Sequence, residues 1–322
     1  MPRSGKATID GILNIDKPYG ITSMDVVRRI KRASRQRRVG HGGTLDPIAT
    51  GVIPVCLGQA TRLTEDVVGG AKSYLASIEL GVSTDTYDAL GEVAERRDSS
   101  GITLTGIEGA LPEFTGDILQ VPPMYSALKQ GGKRLYDLAR AGVEVKREPR
   151  PVTVHAIAVE GWEPPVVTLR VDCGKGFYMR SLAHDLGQAL GCGGHMKTLA
   201  RLRSGAFSVD DALSLDEAEE RFADGTWQDV MHSPDVALHG LRAIIVGTRI
   251  EEMIRNGRLF DVGGDASGDV EGDASPLQQP RPGERCRAYT TDGRFLAIVA
   301  YDADLRQWKP DKVFALTYPD EN

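Results

Sequence analysis

The chain has 322 residues, 41% of them hydrophobic and 26% charged, the composition of a folded globular protein long enough for two domains and unlike a disordered or fibrous chain. It holds no apolar run of about 18 residues, so no transmembrane helix and no membrane partner is expected, and the N-terminal MPRSGKATIDG lacks an apolar leader, so a cytoplasmic location is expected. The net charge of −6 hides an asymmetry, since residues 1–210 carry 27 Lys and Arg against 23 Asp and Glu while residues 211–322 carry 12 against 22; a polyanion would meet the first part and be repelled by the second.

In chain order, ILNIDK reads as a strand followed by a KPYG turn. SMDVVRRIKRA reads as a helix capped by Thr22 or Ser23, with Asp25 near its positive end and Val26, Val27 and Ile30 on one face. Arg28, Arg29, Lys31, Arg32, Arg35, Arg37 and Arg38 follow within eleven residues with no acid among them; this density favours phosphate contact over a plain solvated face. VIPVCL and YLASIELGV read as strands, the second alternating through Tyr74, Ala76, Ile78 and Leu80. Residues 120–150 place Lys129, Lys133, Arg134 and Arg140 among Tyr125 and Tyr136. That mixture suits looped RNA and suits equally an amphipathic helix over KRLYDLARAG.

PVTVHAIAVEGW and PVVTLRVDCGKG add two strands, and FYMRSLAHDLGQALG a helix with Leu182, Leu186 and Leu190 stacked and Gly191 as its stop. Strands outnumber helices and are often neighbours, which predicts an α+β fold with a mixed, largely antiparallel central sheet flanked by helices. DALSLDEAEERF is an acidic helix. From about residue 236 a smaller unit begins, with TTDG as the turn of a hairpin and an acidic, glycine-rich loop at 261–275 that reads as flexible surface.

Several chemistries lack their signatures. There is no G-x-x-x-x-G-K-[ST], no G-x-G-x-x-G, no H-E-x-x-H and no G-x-S-x-G. The cysteines, Cys56, Cys173, Cys192 and Cys286, have no C-x-x-C spacing and read as reduced thiols. No metal and no cofactor is expected. Asp46, in GHGGTLDPIATG, is by local spacing only a turn former before proline.

Five blocks change that reading: GILNIDKPYGITSMDVV, GHGGTLDPIATGVIPVCLGQATRLT, KSYLASIELGVSTDTYDALGEV, VPPMYSALKQGGKRLYDLARAG and CGKGFYMRSLAHDLGQALGCGGHMKTLARLRSGAF. In this order, from about residue 9 to 235, they resemble the TruB family of pseudouridine synthases. The resemblance implies a catalytic domain over 1–235 with a sheet of the pseudouridine synthase type and a thumb-like RNA-binding segment near 120–150. It implies a small β-barrel-like PUA domain over 236–322, on weaker matches such as IRNGRLF. The implied activity is isomerisation of uridine 55 in the T-loop of tRNA, with the base flipped out of its stack.

The family's roles fall on residues of this chain. Asp46 would be the nucleophile, Arg180 its ionic partner, and Tyr74 the ring that stacks on the target base and takes part in proton removal from C5. Tyr178 and Leu199 would line the uridine pocket, and His41 would touch the flipped loop. Lys17, Arg28, Arg32, Arg35, Arg37, Arg38, Lys129, Lys133 and Arg134 would hold RNA phosphates. The glycines around Asp46 would let the backbone pass close to a nucleotide. Attack at C1′ and proton loss from C2′ both stay open. The expected partner is the tRNA T-arm, met by a monomer that needs no guide RNA; an RNA-folding helper and a guide-dependent relative are the competing readings.

Overall fold

In the computed structural model, which describes residues 8–126, 128–140, 143, 145–261, 270–271 and 280–316, the alternating apolar segments meet in one ten-stranded sheet. The chain begins with β1 (Gly11–Lys17), α1 (Ser23–Ser34), β2 (Val39–His41), β3 (Ala49–Leu57), a short α2 (Thr64–Gly69) and β4 (Lys72–Leu80). A ribbon of β5 (Val82–Thr84) and β6 (Val93–Arg96) leads through α3 (Leu104–Ala110) to β7 (Gly116–Gln120). A minimal hairpin of β8 (Lys129–Gln130) and β9 (Lys133–Arg134) is followed by α4 (Leu135–Arg140) and by the long hairpin of β10 (Arg150–Glu163) and β11 (Val166–Cys173). Then come α5 (Met179–Ala189), β12 (Gly194–Ser204), β13 (Phe207–Ser208), β14 (Leu213–Ser214) and α6 (Leu215–Asp224).

The strand order is β14-β1-β3-β12-β4-β11-β10-β7, with β2 beside β3 and β13 beside β12. The β1–β14 and β3–β12 pairs are parallel and the rest are antiparallel, the mixed α+β arrangement expected. Side chains alternate across the sheet with the period of two that a strand imposes. Leu13, Ile15, Ile53 and Val55 point into the core that Val26 and Ile30 of α1 and Leu182 and Leu186 of α5 complete. Ile12, Val52 and Cys56 point the other way, towards Val67 and Phe207. Helix α1 begins at a reciprocal capping box, Asp25 N donating to Thr22 Oγ1 at 3.1 Å and Thr22 N to Asp25 Oδ2 at 2.9 Å.

The central strand β12 aligns residues of three strands at one point of the sheet. It lies between β3 and β4, and its register sets Leu199 beside Ala49 and Ala76, and Arg201 beside Gly51 and Tyr74. Gly51 has φ +96°, and a Cβ there would lie 2.2 Å from the Arg201 carbonyl oxygen. Only glycine lets β3 approach β12 this closely.

The C-terminal segment corrects one expectation. It is β15 (Arg242–Val246), α7 (Thr248–Arg255), β16 (Val270–Glu271), β17 (Arg285–Thr290), β18 (Phe295–Asp302) and β19 (Gln307–Val313). The five strands run in the order β16-β15-β17-β18-β19, and among the described residues no pairing joins β19 to β16. The sheet is open, so the β-barrel of the PUA expectation is not formed. Both faces of this open sheet are covered. Ile250 and Ile254 of α7 pack with Ile244, Val246 and Val299, while Phe295, Ile298 and Phe314 pack with Leu63 of the first unit. The 261–275 loop falls, but for Asp261, Val270 and Glu271, outside the described residues. No described helix is long and apolar enough to cross a membrane.

Candidate active site

Asp46 occupies the connection between β2 and β3, and the chain on both sides of it is tied down. Ser23 Oγ, buried at the start of α1, accepts from the Leu45 amide at 2.8 Å and donates to the Leu45 carbonyl at 3.0 Å. The Pro47 carbonyl accepts from the Gly20 amide at 2.8 Å. Lys17 completes the clamp. Its Nζ donates to Ile21 O at 2.7 Å, Pro18 O at 2.9 Å and Pro47 O at 3.5 Å. Lys17 is 0% exposed, so its assignment to RNA phosphates is corrected: it is a tether beneath the Asp46 turn. Burial lowers its pKa to about 8, against the pull of Asp46.

Arg180, in the first turn of α5, faces this turn across the core. Its Nε donates to Asp46 Oδ2 at 2.9 Å and its Nη2 to Asp46 Oδ1 at 3.3 Å, a two-point fork that fixes the carboxylate's orientation. The guanidinium is also held by the Tyr125 carbonyl at 2.8 Å, the Thr86 carbonyl at 3.4 Å and the Asp88 carboxylate at 3.8 Å. Asp88 is buried and accepts from Thr86 Oγ1 at 2.6 Å and the Leu90 amide at 3.0 Å. Arg180 is 6% exposed and Asp46 34%, so the pair opens to solvent on the Asp46 side. Burial pushes the Asp46 carboxyl up, Arg180 pulls it back and Asp88 adds to the rise.

The open side is a cavity of about 280 Å³ lined by Asp46, Tyr74, Tyr178, Arg180, Leu199 and Arg201, among others. Five expected residues, Asp46, Tyr74, Tyr178, Arg180 and Leu199, therefore meet at one place although 153 positions separate the first from the last. Tyr178 is fixed by a pair of bonds between its backbone and the Gln120 amide side chain, at 2.8 and 3.1 Å. Burial pushes the Tyr74 phenol up, with the neighbouring Arg201 opposing. His41, half-buried on β2, does not line the cavity.

Three contributors went unnoticed in the sequence. Asp88 stood inside a quoted block, TDTYDALGEV, but nothing in the sequence marked its place beside Arg180. Arg201 is 1% exposed; its Nε donates to Val52 O at 2.6 Å and its Nη2 to Gly43 O at 3.2 Å. Lys72 lines the cavity while capping the carbonyls of Val68 and Gly70. Nothing local in LARLR or KSY marks a cation as buried.

Of the glycines before Asp46, Gly43 lines the cavity, but Gly42 differs from expectation. A Cβ on Gly42 would lie 2.1 Å from Val67 Cγ1, so that glycine admits α2, not a nucleotide. Of the basic run, Arg29 pairs with Asp216 at 2.5 Å and Glu219 at 2.7 Å, and Arg28 pairs with Asp25. Arg32, Arg35, Arg37 and Arg38 are exposed and form no ion pair among the described residues. The side chains of Lys129, Lys133 and Arg134 lie outside the described residues.

A bidentate arginine–aspartate pair facing a nucleoside-sized cavity, with a tyrosine in its wall, is the constellation that the five sequence blocks imply. Comparison with known proteins decides the family. The model of the TruB family pseudouridylate synthase N-terminal domain matches residues 31–179, and that of the tRNA pseudouridylate synthase B C-terminal domain matches residues 180–246. The chain belongs to the TruB family. It is 43% identical over 314 residues to tRNA pseudouridine synthase B of Dehalococcoides mccartyi, spanning 98% of this chain and 99% of that one. It is 51% identical over 212 residues to the synthase B of Symbiobacterium thermophilum, covering 65% and 71%.

Among solved structures, a chain of an H/ACA RNP bound to a substrate RNA containing 2′-deoxyuridine matches with a TM-score of 0.70 and 25% identity, over 95% of this chain and 85% of that one. A chain of a Cbf5-Nop10-Gar1 complex matches equally, with a TM-score of 0.70 and 27% identity over 95% and 84%. This TruB protein is thus an isomerase, a tRNA pseudouridine synthase, and tRNA is its binding partner.

Proposed function

We propose that the protein converts uridine 55 in the T-loop of tRNA to pseudouridine, with Asp46 as the nucleophile. The fork from Arg180 to Asp46 at the mouth of the cavity carries this reading. The target base is stacked in the folded loop and must be extruded before chemistry. Stacking on Tyr74 and contacts from exposed Arg32, Arg35, Arg37 and Arg38 to phosphates offset that cost. In the cavity, ionised Asp46 attacks C1′ and uracil leaves with the N1–C1′ electron pair. Alternatively, Asp46 removes the C2′ proton and the same bond breaks to leave a glycal. The base then turns and C5 bonds to C1′; in the first route this displaces the Asp46 carboxylate from C1′, and in the second Asp46 returns its proton to C2′ as C5 adds. The C5 proton is then lost and N1 is protonated. Tyr74 stays protonated where burial raises its phenol, and we assign it the stacking role first. Asp88 and Lys17 act as positioning residues, the first through Arg180 and the second through the Asp46 turn.

We further propose that the enzyme works as a cytoplasmic monomer, without metal, cofactor or guide RNA. The likeness to chains from guide-associated particles favours a second reading, dependence on partner proteins; the higher identity to synthase B proteins over the whole chain favours the first. The test is recombinant protein alone on unmodified tRNA with the modified position mapped. Conversion at position 55, abolished by Asp46→Asn, is expected. Wild-type turnover by Asp46→Asn would sink the nucleophile assignment, and activity only with added protein or guide would sink the monomer.

A further inference from the structure

Next to the catalytic cavity lies a second and wider groove of about 740 Å³. Its most distinctive feature is a stacked pair: the rings of Tyr87 and His184 lie 3.9 Å apart at 14°. Both line the groove, together with Tyr125 and Arg147. Tyr87 is held in the left-handed region, φ +64°, where a bulky L-residue is strained unless its surroundings fix it. They do fix it. The Tyr87 carbonyl accepts from the Met196 amide at 3.0 Å, and the Met196 carbonyl accepts from Ala89 N at 3.0 Å, so β12 holds the Tyr87 backbone in place. His184 Nδ1 has no hydrogen-bond partner among the described residues, so no polar contact of that nitrogen explains the position of the imidazole.

The groove and the catalytic cavity share a wall. Tyr125 lines both, and its carbonyl, with that of Thr86 next to Tyr87, holds Arg180. The groove's charge also points to a class of ligand. Asp85 and Glu95 stand against the single cation Arg147 among its described lining residues, which disfavours a phosphate and leaves the flat aromatic surface as the recognition element. Burial and the charge of Arg147 lower the pKa of His184, so at neutral pH it presents an uncharged ring.

We infer that this groove is a second base-binding subsite, which receives the nucleobase next to the target uridine on the same strand and stacks it on the Tyr87–His184 pair. The inference rests on the reading that the catalytic cavity takes a uridine extruded from a tRNA loop. A strand whose target nucleotide lies in that cavity carries its neighbour to the shared Tyr125 wall, and any base has a face to stack.

The test uses full-length protein and tRNA with an abasic site 5′ or 3′ of the target. One abasic RNA should raise KM about tenfold on wild-type protein, the size expected for one lost base–aromatic stack, with kcat retained. His184→Ala should raise KM on intact RNA by a similar factor and add nothing on that abasic RNA, and His184→Phe should restore it. A readout without turnover keeps this separate from the catalytic assignment. 2-Aminopurine at the same neighbour should be quenched on binding to Asp46→Asn and not on binding to Asp46→Asn/His184→Ala. Penalties that multiply, abasic RNAs that both behave as intact RNA, or equal emission with the two proteins would overturn the subsite. Failure of wild-type protein to convert intact RNA would overturn the catalytic reading and leave the fluorescence test standing.

Discussion

Arg180 is the main charge that favours the ionised form of Asp46. Burial pushes that carboxyl up and Arg180 opposes the rise, while either route through Asp46 needs the anion. Turnover should therefore fall as pH drops through the Asp46 pKa in the folded protein. Arg180→Leu removes the opposing charge, so the acid limb of its kcat–pH profile should move to higher pH. Arg180→Lys keeps the charge without the fork. It should hold the limb near its wild-type position and lose kcat on the order of 10²-fold. A limb that does not move in Arg180→Leu would refute the electrostatic role. Asp185 offers a separate check on stability. Burial alone raises it from 3.8 to about 6. Its folded pKa lies above its unfolded one, so the stability it contributes is full below 3.8 and is lost as pH rises through about 6. Asp185→Asn should melt higher than wild type at pH 8, and the advantage should vanish near pH 3.5.

At the scale of elements, α1 serves two purposes through adjacent residues. Thr22 caps the helix, and Ser23 reaches from its first turn to Leu45, the residue before Asp46. Thr22→Ala should cost about 1 kcal/mol in denaturant melts and leave kcat near wild type. Ser23→Ala strands a buried amide and carbonyl at a cost of about 1–3 kcal/mol, and should also lower kcat because the turn carrying Asp46 loosens. Equal kcat in the two variants would show that Ser23 supports only the helix. Much of this level was legible in sequence. The helix start at Thr22 or Ser23, the alternation of β4 and the TTDG turn are local signals that the structure repeats, with Thr22 as the cap.

What was not legible is long-range. No local pattern places β12 between β3 and β4, yet that insertion sets Arg201 opposite Gly51 and Tyr74 and so buries a cation beside the cavity. Lys17 was misjudged for the same reason, since a lysine in a turn near a basic run gives no sign of burial. The five blocks brought Asp46, Tyr74 and Arg180 together by resemblance; spacing alone could not. The C-terminal strands were legible as strands. Whether the first and last strands pair into a barrel is a long-range matter that strand patterning does not encode, and here the order stays open.

Over the whole molecule, the charge asymmetry resolves into two distinct surfaces. In the C-terminal unit, Arg285 and Lys312 are committed to Asp66 of α2, at 2.8 and 3.0 Å, and so fasten the acidic tail to the catalytic unit. Neither is on offer to phosphate. At the other end, Arg32, Arg35, Arg37 and Arg38 stand exposed at the exit of α1 with no ion pair among the described residues. These are the conditions for counterion release, in which each phosphate contact contributes about 0.9 to the slope of log K against log salt. Arg32→Glu with Arg35→Glu should weaken tRNA binding and reduce the magnitude of that slope by about 2. Arg29 supplies the contrast within the same helix. Asp216 and Glu219 already neutralise it and join α1 to α6, so Arg29→Glu should lower the melting temperature and leave the salt slope of the remaining folded protein unchanged. Binding titrations at four or five salt concentrations, paired with thermal melts, separate the two. If Arg29→Glu alters the slope as much as the double variant does, the helix as a whole, and not its exposed end, is the phosphate contact.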